Sequence, residues 1–166
     1  MQLTHYNSEF KKQTFSITIV CDNVNNAPNI GSLFRIADAF GVEELIFCGE
    51  DIPLGKRMKR TSRSTEKYVK HAIENDIQKV LEYLKSKNYH LIALEITKDS
   101  MPINDCKMPK DKPIALIIGN ENHGVSETVL NHIDKALHIN MYGENSSMNV
   151  VQATAVALYE LTNQLK

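Results

Sequence analysis

The chain has 166 residues, 42% of them hydrophobic, and a formal net charge of −1. This suits one compact domain spanning 1–166, and so even a charge balance excludes binding of polyanions by overall charge. No apolar run approaches the ~20 residues of a membrane-spanning helix, and the start, MQLTHYNSEFKKQ, lacks the apolar core of a signal peptide; a soluble, cytoplasmic protein is expected.

Cys21, Cys48 and Cys106 are odd in number and contain no C-x-x-C pair, so buried reduced thiols are expected rather than disulfides. The six histidines lack zinc-site spacing, and no metal is expected.

In chain order, FSITIVCD (15–22) is short and β-branched and reads as a strand. Ile30, Leu33, Ala37 and Phe40 then recur at helical spacing until Gly41 offers a left-handed stop. ELIFC (44–48) is a second buried strand, completing a β-α-β unit with a right-handed crossover. A basic stretch follows, and then a helix on which Ile73, Ile77, Val80, Leu81 and Leu84 share a face, ending near Asn88. YHLIALEI (89–96) is the next strand.

The proline-punctuated segment 97–113 reads as a connection to the strand IALIIG (114–119). A short helix from about Ser126, the strand ALHIN (136–140) and a last helix over roughly 147–165 complete the chain. Ser146 or Ser147 can cap that helix, with Met148, Val151, Ala155, Leu158 and Leu161 or Thr162 as its core-facing stripe. The pattern is α/β: three α/β/α layers around a mainly parallel sheet, whose ligands gather at strand C-termini. Polar stretches 23–32, 119–126 and 140–149 lie at such ends.

Charge is unevenly spread. Between 56 and 70, seven basic side chains, among them Lys56, Arg57, Lys59, Arg60 and Arg63, meet only Glu66, a local balance of +6 against −7 for the rest. One concentrated patch of this kind can hold a phosphate backbone by releasing its counterions, or can equally be a solvated loop.

Three stretches can carry chemistry. In NVNNAPNIGSLFR, Asn29 reads as a helix N-cap, Gly31 admits a close neighbour, and Arg35 sits between Phe34 and Ile36. GNENHGVS places Glu121 at a strand's C-terminal edge in a glycine-bounded turn. It is neither a G-x-G-x-x-G fingerprint nor a P-loop, which argues against an ordinary nucleotide-binding crossover. In SSMNVV, Asn149 falls inside the first turn of the last helix; asparagine is a mediocre helix former, so a role beyond capping is indicated.

Taken in order, NAPNIGSLFRIADAFGVEELIF, IALIIGNENHGVS and LHINMYGENSSMNVVQATAVALYEL resemble the three motifs of the SpoU (TrmH-like) RNA ribose methyltransferases of the SPOUT superfamily. The resemblance implies methyl transfer from S-adenosylmethionine to a ribose 2′-hydroxyl by a homodimer whose C-terminal segment forms a deep trefoil knot. It places Asn29, Arg35, Glu121, Ser147 and Asn149 in the catalytic site. Leu94, Glu95, Gly119, Asn120, Gly124, Ile139 and Met148 become cofactor contacts, held largely through backbone groups, which explains the missing glycine fingerprint. It turns the patch Lys56, Arg57, Lys59, Arg60 and Arg63 toward RNA.

Free arginine hardly ever loses its proton at neutral pH, so Arg35 is expected to clamp and relay a proton, with Asn29 orienting it. Glu121 and Asn149 would fix loops and ligand, and Ser147 would support its turn. Met148 stands where the family commonly has leucine, a volume-conserving change. With the chain starting near its first strand and ending with its last helix, no appended RNA-binding domain is expected, and tRNA is preferred as substrate over ribosomal RNA. Rival readings are a non-catalytic RNA-binding module of the same fold and a small-molecule-binding domain, the latter leaving the +6 segment unexplained.

Overall fold

The computed structural model describes residues 8–166. Its strands are β1 (Phe15–Asp22), β2 (Val42–Cys48), β3 (His71–Glu74), β4 (His90–Leu94), β5 (Met101–Pro102), β6 (Ile114–Ile118) and β7 (Lys135–His138). Its helices are α1 (Ala27–Ala39), α2 (Lys56–Ser62), α3 (Ile77–Ser86), α4 (Glu127–Leu130) and α5 (Val150–Leu165).

The described strands form one sheet, ordered β3-β2-β1-β6-β4-β7-β5, with every pair parallel. Central strands are buried on both faces, as a parallel sheet requires. Along β6, Ile114, Leu116 and Ile118 pack with Leu33 and Phe34 of α1 and Leu158 and Leu161 of α5. The intervening Ala115 and Ile117 pack with Val80, Leu81 and Leu84 of α3 and Val129 of α4. This period-2 division of apolar side chains produces the three expected layers. Full burial of each large side chain contributes roughly 1.5–3 kcal/mol.

Several local expectations are corrected. Ile73 is not on α3: it lies in β3, which pairs with β2 at the sheet edge, and is 45% exposed. The helix starts later because Asp76 caps it, accepting from the Gln78 and Lys79 N–H groups. Much of the basic stretch is helical, as α2, rather than a loop, and its Met58 is buried in the core. Connection 97–113 contributes β5 and buries Ile103, Cys106 and Met108.

The last helix begins at Val150, and its cap is Asn149, not Ser146 or Ser147. Its buried stripe is Thr154, Ala157, Leu158, Leu161 and Thr162. Thr154 can turn inward because its hydroxyl donates to the Val150 carbonyl at 2.6 Å. Gly41 does adopt the left-handed conformation expected after α1, with φ of +62°.

All three cysteines are free and buried. Burial first, then the nearby Asp22 carboxylate, pushes the Cys48 thiol up to about 12. Burial likewise raises Cys21. Cys21 and Cys48 are thus core residues, without the thiolate character that reactivity needs.

Candidate active site

The winding of the chain reverses beside β1: β2 and β3 lie to one side, and β6, β4, β7 and β5 to the other. Ligands of open parallel sheets sit at the C-terminal strand ends near such a reversal. A cleft of about 260 Å³ opens there, at the ends of β4, β6 and β7. Leu94, Glu95, Gly119, Asn120, Gly124, Ile139 and Met148 all line it, together with Glu121, Ser147 and Asn149.

Its floor depends on two glycines. A Cβ on Gly119 would lie 2.2 Å from the Gly124 carbonyl carbon, and one on Gly124 would lie 2.4 Å from Glu95 Oε2. Gly124 also has φ of +67°. The turn folds back through Asn120 and Gly124, whose N–H groups donate to each other's carbonyls at 3.1 and 2.8 Å. Asn120 Oδ1 accepts from the Asn122 and His123 N–H groups, and its Nδ2 donates to the Asn23 carbonyl at 2.8 Å. Glu95 accepts from the Val125 and Ile96 N–H groups at 3.0 and 2.9 Å. Its carboxylate therefore fixes the turn while keeping its charge in the cleft.

Three predicted residues from distant parts of the chain meet at the mouth of the cleft. Asn149 Nδ2 donates to Asn29 Oδ1 at 3.3 Å, and Asn29 Nδ2 donates to Glu121 Oε1 at 2.6 Å. Asn149 Oδ1 meanwhile accepts from the Val151 and Gln152 N–H groups. One amide thus caps α5 and reaches the site as well. Asn29 is free for this because Asn26, not Asn29, caps α1: Asn26 Oδ1 accepts the Asn29 N–H at 3.1 Å.

The Arg35 side chain is exposed and makes no hydrogen bond or ion pair with the other described residues. It lies roughly 9 Å along α1 from Asn29 and about 120° around it. The Asn29 amide pairs with Glu121 and Asn149, and among the described residues it makes no hydrogen bond to Arg35. Ser147, also exposed, donates from N–H and Oγ to Asn145 Oδ1 at 3.1 and 3.2 Å, closing a turn on the cleft wall.

Sequence reasoning missed Asp22. Buried at the end of β1, it accepts the Ser126 N–H at 2.7 Å and the Asn23 side-chain N–H at 3.2 Å, tying the first loop to the second. An acidic residue ending an apolar strand was the available signal. His138, Met141, Ala153 and Ile118 also line the cleft; of these only Ile118, next to Gly119, carried a cue.

Lys56, Arg57, Lys59, Arg60 and Arg63 are all exposed on or just beyond α2. Gly31 explains how α2 is held: a Cβ there would lie 1.9 Å from Thr61 Oγ1 and 2.3 Å from the Met58 carbonyl. The close neighbour foreseen at Gly31 is thus the backbone of α2. Within the patch, the Ser62 hydroxyl donates to Glu66 and holds its carboxyl below the ordinary value, assisted by Lys59 and Lys67. Among the described residues, no group of three or more His, Cys, Asp or Glu side chains is arranged to hold a metal, and no helix is long and apolar enough to cross a membrane.

Comparison with known proteins agrees with this geometry. Residues 16–159 match the model of the SpoU rRNA Methylase family. The tRNA (guanosine(18)-2'-O)-methyltransferase of Aquifex aeolicus is 32% identical over 155 residues, 93% of this chain and 72% of that protein. The crystal structure of the A. aeolicus TrmH/SpoU tRNA modifying enzyme aligns with a TM-score of 0.81 at 30% identity, covering 92% of this chain and 77% of that one. The SpoU methyltransferase AviRb from Streptomyces viridochromogenes, in complex with the cofactor AdoMet, shares the fold at TM-score 0.80 and 24% identity, over 93% of this chain and 62% of that one. With its motifs gathered on this sheet and the match running over most of its length, the chain belongs to the SpoU methylase family.

Proposed function

We propose that this protein is an S-adenosylmethionine-dependent methyltransferase acting on a ribose 2′-hydroxyl of RNA, with tRNA as the substrate. The observation that carries the reading is the Asn149–Asn29–Glu121 chain at the cleft, with the Arg35 side chain unpaired and exposed farther along the same helix as Asn29. The tRNA assignment is supported by the relative from A. aeolicus and by the exposed basic patch on α2.

The cleft suits that cofactor. Leu94, Ile118, Ile139, Met148 and Ala153 offer apolar walls, while Glu95 and Glu121 place carboxylates in a lining that holds no lysine or arginine. Such a site favours a cationic ligand and gives a triphosphate or dinucleotide no counter-charge. The chemistry supplied by bound S-adenosylmethionine is a methyl group on a sulfonium, open to attack by oxygen.

The protein's part is to hold the 2′-oxygen in line and to take away its proton, and positioning supplies much of the rate. Arg35 would clamp the ribose-phosphate and pass that proton to a neighbouring phosphate. Asn29, fixed from both sides, would lock the three loops, and Ser147 would hold the cleft wall.

The proposal includes a homodimer, supported by Val156 and Tyr159, 43% and 65% exposed three residues apart on α5. It also includes the C-terminal knot: β7 lies between β4 and β5, which are consecutive in the chain, so segment 95–100 must pass across β7. A cytoplasmic location accords with a tRNA substrate.

The test incubates the protein with labelled S-adenosylmethionine and separate pools of unmodified tRNA and ribosomal RNA. Label is expected in tRNA as a 2′-O-methyl nucleoside. Label in ribosomal RNA alone would shift the substrate, and label in neither would remove the reaction.

Asn149 separates capping from site chemistry. Asn149→Ala should cost about 1 kcal/mol of stability through the lost cap and should lower methyl transfer. Asn149→Asp keeps an oxygen for the Val151 and Gln152 N–H groups but loses the donor to Asn29. It should melt like the wild type and still transfer poorly. Full activity in Asn149→Asp would confine the residue to its cap.

A further inference from the structure

A second cavity, of about 480 Å³, lies between the start of α1 and the start of α2. Asn25, Asn26 and Pro28 form one wall, and Pro53, Lys56 and Arg57 the other. No carboxylate lines it. Lys56 and Arg57 are exposed and form no ion pair with the other described residues, whereas Lys70, farther along the same basic stretch, is paired with Glu44 at 3.3 Å. Two cations left unpaired in a concave site beside two asparagines are poised for an anion, and arginine's fork matches a phosphate's oxygens.

The walls are held together before any ligand arrives. Thr61 Oγ1 lies 3.0 Å from the Pro28 carbonyl and 2.9 Å from the Met58 carbonyl, sharing its hydrogen between the two helices. The bare backbone at Gly31 lets α2 rest directly on α1. Pro28 is followed by Asn29, which bonds Glu121 at the cofactor cleft. One turn of α1 therefore forms an edge of both sites.

We propose that this basic cavity is the seat of one particular phosphodiester of the RNA, close to the ribose being methylated, and that Lys56 and Arg57 set the register of the strand in the active site. This deepens, and rests on, the proposed RNA methyl transfer. It divides the basic patch: Lys56 and Arg57 grip one phosphate in a formed site, whereas Lys59, Arg60 and Arg63 meet the backbone on an open surface. Phosphate contacts of the first kind fix position without reading sequence.

The test measures RNA affinity against salt, methyl-transfer kinetics and S-adenosylmethionine affinity for wild type, Arg57→Ala, Lys56→Ala/Arg57→Ala and, as a control on α3, Lys85→Ala. Arg57→Ala should weaken tRNA binding roughly tenfold and make the plot of log K against log salt shallower by about 0.7–1. The double variant should lose about twice that slope, with cofactor affinity intact and kcat lowered through misregister. Wild-type RNA affinity and slope in both variants would overturn the cavity as a phosphate seat, even with methyl transfer established. A wild-type protein that neither binds nor methylates RNA would overturn the proposed function along with it.

Discussion

Arg35→Ala is expected to abolish most methyl transfer, lowering kcat by about 10²- to 10⁴-fold, the range for loss of a group that handles a proton in the transition state. The same substitution should leave folding almost untouched. The Arg35 side chain is exposed and makes no hydrogen bond or ion pair with the other described residues, and surface changes of this kind stay within about 0.5 kcal/mol. Cofactor affinity should also hold, because Arg35 does not line the cleft. Arg35→Lys keeps the charge but loses the planar fork, so it should recover only part of the rate. Single-turnover methylation with saturating RNA, beside a melting curve and a cofactor titration, checks all three statements. A kcat within threefold of wild type in Arg35→Ala would remove Arg35 from the mechanism and leave the family assignment standing.

Gly119→Ala carries the largest expected structural effect. The added methyl would lie 2.2, 2.3 and 2.4 Å from Gly124 C, Val125 N and Gly124 O. All three are backbone atoms, so no side-chain rotation relieves the overlap and the turn 120–124 must move. That turn carries Glu121 toward Asn29 and is pinned by Glu95 through the Val125 N–H. Overpacking of this kind costs about 1–3 kcal/mol, or roughly 2–12 °C in Tm for a chain of this size. Cofactor affinity should fall at least tenfold, because the displaced turn is a wall of the cleft. Calorimetric titration of S-adenosylmethionine reads this directly. Wild-type affinity together with wild-type Tm would mean that the turn adapts at no cost.

Much of this was legible along the chain because it is local. The short β-branched run at 15–22 and the unbroken apolar run at 114–118 mark buried strands, and both strands lie where the pattern puts them. Ile73 was misread because an isoleucine at helical spacing from Ile77 looks the same whether it belongs to a helix or to an edge strand. The choice was made by the β2 edge and the Asp76 cap. Both asparagine caps were misplaced for a similar reason. Asn26 and Asn29, like Ser147 and Asn149, are all capable caps, and only the neighbours each side chain meets decide which one is used.

The sequence by itself determined the α/β pattern, the family motifs, the glycines and the basic stretch, since each depends on periodicity, on backbone freedom or on a run of like charge. Tertiary structure alone decided that Asn29, Glu121 and Asn149 form one hydrogen-bonded chain across separations of 92 and 120 residues. It also decided that Gly31 serves helix packing rather than a ligand, and that Lys56 and Arg57 face a cavity next to the catalytic turn. Contacts at such separations follow from the order in which strands enter the sheet. That order places β6 between β1 and β4 and sets the three loops side by side, and no local pattern in the chain encodes it.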